Sequence, residues 1–489
     1  MTEHCRLRAR TEGRLRAGTE RRRLLLAMAL VGLAVAAWCA PGAWARASYG
    51  ARATADEPQY LMTAISIGED LDLDVSDERA AGRFREFHEV ALPVQEAARD
   101  DGALVSPHDP LLPAVLAVPM RLGGWLAAKL TLAAFAGLLA AAMVWVAVRR
   151  LRVGLAVATI TVLAFGLAAP LAIYATQVYP ELPAALCVTV ALGALLGTWR
   201  RAETIVFAVC VVALPWLSVK YVFVAGALVA VAAVRMWRAG ETRRLVVVGG
   251  VLAIAGALYL VAHHAWYGGW TVYASGDHFV GGEATVVGND PNYVGRSVRL
   301  VGLLTDRNFG LAAWQPAFLL AVPAFAALLW RRPREWAALA VPFAAGWLSA
   351  TFVALTMHGW WWPGRQTVVV VPCAVLAVAW WAEAYRPARV LVAVGGVVGA
   401  VFTAWLAGDV LSGHMTLIVD FARTTNPLYQ AWRDLLPDGL LQPSGTVALR
   451  VAWIVLVSAL AAWGSWTVRA RQPSPVSEPP PARVPALMR

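Results

Sequence analysis

Charge is scarce in this chain: only 15% of its 489 residues are Asp, Glu, Lys or Arg. Soluble domains carry about 25%, so an ordinary water-soluble domain is excluded. Lysine is nearly missing, with only Lys129 and Lys220 among many arginines. Cysteine is sparse too. Cys39, Cys187, Cys210 and Cys373 lie in apolar runs, and Cys5 lies in the basic N-terminal tail. None forms a CxxC pair, which argues against a zinc site and against an outer-face disulfide. The apolar stretches lack the strict alternation of barrel strands. No clear repeat or coiled coil is visible.

What the chain does have is hydrophobic length. Residues of apolar type make up 59% of it. Apolar runs of roughly 16 to 23 residues recur from end to end, each long enough, or nearly so, to cross a bilayer core of about 30 Å as a helix. Only helices and closed barrels satisfy their backbone in lipid. The fold class expected is therefore an all-α polytopic membrane protein. About twelve transmembrane helices are read, at 24–42, 126–148, 154–175, 181–198, 204–217, 219–234, 245–265, 311–330, 336–356, 367–382, 388–408 and 450–468. The short pair 204–217 and 219–234 reads alternatively as one kinked feature.

The net charge of +11 does not point to nucleic acid, because its position serves topology. The N-terminal tail 1–23 is rich in arginine, and every second connection is basic: VRRLR (148–152), TWRRAE (198–203), RMWRAGETRR (235–244), LWRRPRE (329–335) and YRPAR (385–389). The C-terminal tail begins RARQ (469–472). By the positive-inside rule all of these are cytoplasmic, both termini included, and the protein is a multi-pass plasma-membrane protein. Ala43-Trp44-Ala45 resembles a signal-peptide cleavage site; cleavage there would leave the later topology unchanged. The Pro-rich tail 469–489 reads as disordered.

The segments on the other side differ. Residues 47–125 form a long acidic loop, 266–310 a second and 409–449 a third. All the histidines except His4 fall on this side of the membrane: His88, His108, His263, His264, His278, His358 and His414. Chemistry is therefore expected on the extracytoplasmic face. The first loop opens with ADEPQYLMTAISIGED (55–70), whose Tyr60, Leu61, Ala64, Ile65 and Gly68 fall at helical spacing. That pattern predicts an amphipathic helix lying on the membrane surface. Asp56 and Glu57 begin it, where an acid is either a cap or a general base. The next string, EDLDLDVSDE (69–78), mimics a calcium loop. It has Val75 where the EF-hand glycine belongs and no closing Glu, so it reads as a solvated acidic stretch. The loop returns through SPHDPLLPAVLAVP (106–119), whose prolines predict a broken, partly inserted segment. His108 and Asp109 lie at its head, as site residues or as a polar cap. His263 and His264 close a span and read as a hydrogen-bonded helix end.

An acidic pair just after the first span, a long loop with surface helices and a Pro-rich return resemble the GT-C glycosyltransferases. The likeness is strongest to the protein O-mannosyltransferase and aminoarabinose-transferase type. QVYPELP (177–183), PWLSVKY (215–221) and HGWWWPGRQ (358–366) add to it in the expected order. It covers about residues 24–385, a module expected to run over 24–408 with a last transmembrane helix at 450–468. The large outer C-terminal domain of some relatives is missing, which leaves the acceptor undefined. The resemblance implies transfer of a hexose or pentose from a polyprenyl-phosphate-linked donor to an acceptor hydroxyl. It makes Asp56 the catalytic base with Glu57 beside it, and Glu181 a second acidic residue of the site. The implied partners are the lipid-linked sugar, membrane lipid and a cell-envelope glycan, lipid or protein acceptor. It implies no particular metal.

A leaving phosphate at the membrane boundary needs cations near it. Lys220, Arg307 and Arg365 are the candidates on that side, each also able to be a snorkelling anchor. His358 lies in the last string beside Trp360, Trp361 and Trp362, which suit either an interfacial aromatic belt or stacking on a sugar. A transporter or flippase is the alternative class. Against it, the polar residues gather at span ends, whereas transporters usually place theirs near the midplane.

Overall fold

A computed structural model describes residues 3–99, 101–275, 287 and 290–469; side chains are described from Gly18 onward, except that of Ser275. The side chains of His4 and Cys5, His278 and the tail 470–489 therefore lie outside the described parts, as does much of 276–289 in the second loop.

The chain is helical almost throughout. In order the helices are α1 (Glu3–Cys39), α2 (Glu57–Glu69), α3 (Ser76–Ala80), α4 (Leu111–Arg149), α5 (Leu155–Gly166), α6 (Leu171–Tyr174), α7 (Glu181–Leu195), α8 (Arg201–Leu217), α9 (Val222–Arg238) and α10 (Thr242–Tyr267). They continue with α11 (Tyr293–Arg296), α12 (Arg299–Thr305), α13 (Leu311–Trp314), α14 (Ala321–Arg331), α15 (Trp336–Leu348), α16 (Val371–Ala384), α17 (Arg386–Leu411), α18 (Pro427–Arg433) and α19 (Thr446–Arg469). The sheet content among the described residues is one antiparallel pair, Ala97–Ala98 with Leu104–Val105. Eight helical stretches there are long and apolar enough to cross a membrane, with shorter apolar helices at Leu155–Gly166, Glu181–Leu195 and Pro316–Arg331. Helix α8 falls on the remaining expected span. The protein is an all-α, polytopic integral membrane protein.

Packing follows small residues, as expected where lipid supplies no hydrophobic drive between helices. Helices α1 and α4 cross at Gly32 and Gly137, so closely that a Cβ on Gly137 would stand 2.5 Å from the Gly32 carbonyl oxygen. The stretch Arg365–Ala384 is the centre of the bundle, with 83% of its apolar window buried; Thr242–Ala274 and Thr446–Arg469 bury 11% and form the rim. At one end the basic connections meet one another. Arg150 binds Glu203, Gly154 N–H donates to Glu383, and Arg235 donates to the Arg334 carbonyl.

The other end carries the loop that follows α1, and two expectations change there. Helix α2 forms over the predicted stretch, but Glu57 through Ser66 are all buried. It is covered because α4 packs along it: a Cβ on Gly68 would meet the Ala117 carbonyl at 3.2 Å. The Pro-rich return is helical from Leu111 despite Pro113 and Pro119. Pro113 stands in the first turn, where its missing N–H has no intrahelical partner. The break comes instead at Gly123-Gly124, where Gly124 has φ 61°, a left-handed conformation open to glycine.

A buried ion-pair chain as the candidate functional site

The site is assembled from segments far apart in sequence. Asp56 is the residue before α2, yet its side chain makes no cap hydrogen bond. It turns the other way and meets the Arg365 guanidinium at 2.7 Å. Arg365 Nε donates in turn to Glu181 Oε1 at 2.9 Å, and Lys220 Nζ donates to the same oxygen at 2.7 Å. The result is a chain of alternating charge, Asp56–Arg365–Glu181–Lys220. Glu181 is wholly buried and Arg365 is 8% exposed, while the side chains of Asp56 and Lys220 keep 24% and 26% of their surface open. The ends of the chain are thus the accessible parts.

Local structure explains each placement. Pro363-Gly364 turns the chain into the central helix, and Gly364 takes φ 84°, where a Cβ would stand 2.8 Å from Leu311 Cδ2. Arg365 follows at once, under Tyr179 and Trp361, whose ring centres lie 4.1 and 5.0 Å from its guanidinium carbon. Glu181 opens α7 directly after Pro180. Lys220 lies in the 3-10 turn Val219–Tyr221 that joins α8 to α9. His108 stands beside Asp56, with Nε2 to Oδ2 at 3.7 Å, and its ring packs on Tyr60 at 4.5 Å. Burial would raise the Asp56 pKa, but Arg365 and His108 outweigh it and hold the carboxyl well below the usual carboxylate range.

These groups face a cavity of about 710 Å3 lined by Asp56, Tyr60, His108, Asp109, Lys220, Trp361, Arg365 and Gln366, with valines and Leu355 forming apolar walls. The structure thus brings together Asp56, His108, Asp109, Lys220 and Arg365, with Glu181 behind them. Asp109 is a bracket: it accepts from Val219 N at 2.9 Å, from Tyr259 Oη at 2.9 Å and contacts His263 Nε2 at 3.0 Å. His263 also contacts the Tyr259 carbonyl, which makes it the hydrogen-bonded helix end expected.

The other expected residues are placed elsewhere. Glu57 is fully buried and accepts from Val178 N at 2.8 Å. Burial raises its pKa, with Lys129 and the Val178 N–H opposing. Arg307 donates to the Leu436 carbonyl, and its backbone N–H to Pro437. His358 lies 3.8 Å from Asp306, which also accepts from Phe309 and Gly439 N–H groups. Arg307 therefore helps knit the third loop onto the bundle, while His358 stands beside the Asp306 carboxylate that holds Gly439 of that loop. The tryptophan triplet divides: Trp360 is exposed, Trp361 lines the cavity and Trp362 is core against Trp314. Tyr60, which helical spacing puts on the apolar face of the first-loop helix, and Tyr179, within QVYPELP, both border this site, although the sequence assigns neither a part in it.

The fold and this polar chamber define a polytopic helical membrane protein with a charged cavity at one end of its bundle. No family model matches the chain, and no curated protein matches it. Among solved structures it is similar to the crystal structure of ArnT from Cupriavidus metallidurans bound to undecaprenyl phosphate, at 15% identity and a TM-score of 0.48 over 91% of this chain and 72% of that one.

Proposed function

We propose that this protein is a GT-C-type glycosyltransferase that transfers a sugar from a polyprenyl-phosphate donor to an acceptor hydroxyl on the extracytoplasmic face. The observation that carries the reading is the orientation of Asp56. It leaves its helix uncapped, faces the cavity, and is held by an arginine that a phosphate could claim. A donor needs cations for its phosphate beside apolar walls for its lipid, and Arg365 and Lys220 stand among valines. Arg365 offers a planar fork suited to a phosphate, and Lys220 a compact point charge.

In the reaction the acceptor oxygen bonds to the anomeric carbon as the bond from that carbon to the phosphate oxygen breaks. The polyprenyl phosphate leaves with the electron pair, and the hydroxyl proton passes to the Asp56 carboxylate. Attack opposite the leaving group inverts the anomeric centre. Asp56 paired to Arg365 is a weak base, since a base works best with its pKa near the working pH. Arrival of the donor phosphate draws Arg365 away and frees the carboxylate. Base catalysis of this kind is typically worth about 10²–10⁴-fold.

The test is a panel of radiolabelled polyprenyl-phosphate sugars offered to purified protein with mixed envelope acceptors. One sugar should be transferred, and Asp56→Asn should abolish transfer while still binding the donor. Near-normal turnover by Asp56→Asn would remove the base. Binding with no transfer to any acceptor by the unaltered protein would favour a lipid-binding or transport role.

A further inference from the structure

The acidic string after α2 contains a second feature, separate from the cavity. Asp70, Asp77 and Glu78 each place a carboxylate oxygen within 4.8 Å of the others. Asp70 is the residue after the last turn of α2, and Asp77 and Glu78 lie in the first turn of α3. Asp70 and Asp77 are exposed, whereas Glu78 is 3% exposed. Neither carboxylate oxygen of Glu78 is held by a cation or by an N–H of another residue among the described residues; its side-chain partner is the neighbouring Asp77 carboxyl. The expectation of a solvated stretch therefore fails at its last residue.

A buried carboxylate whose side-chain partner is another carboxyl is costly to ionise, and costlier with a third acid beside the pair, unless a cation joins them. The nearby arginines do not relieve it. Arg79 binds Glu96 and the Leu92 carbonyl, and Arg83 binds Glu69 and Glu86. The intervening acids are also engaged: Asp72 accepts from Ser66 Oγ, and Asp74 from the Ser76 and Leu104 N–H groups. What remains is one buried carboxylate with two exposed ones beside it.

We propose that Asp70, Asp77 and Glu78 bind a calcium ion. All three ligands are hard oxygens with no His or Cys among them, which disfavours zinc and copper. Three carboxylates on one ion, completed by water, suit the six to eight oxygens of calcium. Magnesium holds its own waters and usually takes only one or two carboxylates. The bound ion joins the end of α2 to the start of α3, and so braces the helix that begins at Asp56.

The experiment uses the full chain in detergent, stripped with a chelator and dialysed against radioactive calcium. One ion per chain is expected, with magnesium competing weakly. Glu78→Gln and Asp77→Asn should each weaken binding at least tenfold. Calcium should raise the unfolding temperature of the unaltered protein and not that of Glu78→Gln. Should Glu78→Gln fail to fold, Asp70→Asn at the exposed rim provides the same comparison. Absence of stoichiometric calcium in the stripped and reloaded protein would overturn the proposal. So would unchanged calcium affinity in Asp77→Asn and Asp70→Asn.

Discussion

Asp56 and Glu57 are adjacent, chemically alike and differently employed. One reaches into the cavity towards Arg365 and the other is sealed against the Val178 backbone. The sequence offered the pair without its division of labour, because a single step along the chain turns the next side chain to another neighbour. The same holds for the cations. Arg365 holds two carboxylates, whereas Lys220 holds one that Arg365 also satisfies. Breaking a buried pair by removing one partner costs on the order of 3–5 kcal/mol. Arg365→Met should therefore destabilise the protein by about that amount, and Lys220→Met by less, while both weaken donor binding. Combining Arg365→Met with Glu181→Gln should restore part of the stability but no donor affinity. Unfolding measurements beside donor titration in nanodiscs check this. Unchanged donor affinity in both single variants would leave the two cations as structural anchors.

At the level of elements, spans are readable because lipid demands apolar length, and that demand is written in composition. Breaks and turns are less so. Four prolines predict a break within 106–119, yet the helix yields at Gly123-Gly124. Tertiary packing holds the proline segment helical between α2 and the bundle. The turn at Pro363-Gly364 is the reverse case, a familiar signal whose consequence is the aim of Arg365. A residue with a Cβ in the left-handed region costs roughly 1–2 kcal/mol, and at Gly364 that Cβ also presses on Leu311. Gly364→Ala should lose at least about 1–2 kcal/mol of stability and bind donor more weakly, because Arg365 shifts with the turn. Donor affinity equal to that of the parent would show that the turn does not set the guanidinium.

For the whole molecule, alternation of basic connections predicts two sides, and the basic loops do meet one another at one end of the bundle. Asp56, His108, Lys220 and Arg365, all expected on the opposite side, meet in one cavity. Which end faces out is open to labelling. Single cysteines at Ala91 and Ser412, both exposed, should react with an impermeant maleimide on intact cells. A cysteine at the exposed Ala239 should react only after permeabilisation. The reverse pattern would move the cavity to the cytoplasmic face and reject the proposed use of an outward-facing lipid-linked sugar.

By itself the sequence determined the class, the spans and the end at which polar chemistry gathers. These follow from one-dimensional quantities: apolar length, the placement of arginine and the location of histidine. Tertiary structure alone decided that Asp56 is not a cap, that Glu57 is sealed, that Arg307 serves the third loop and His358 stands at Asp306, and that Glu78 is buried. Each depends on which distant segment arrives beside the residue. Glu181 lies 184 positions from Arg365 in sequence, and no local periodicity encodes a contact at that separation.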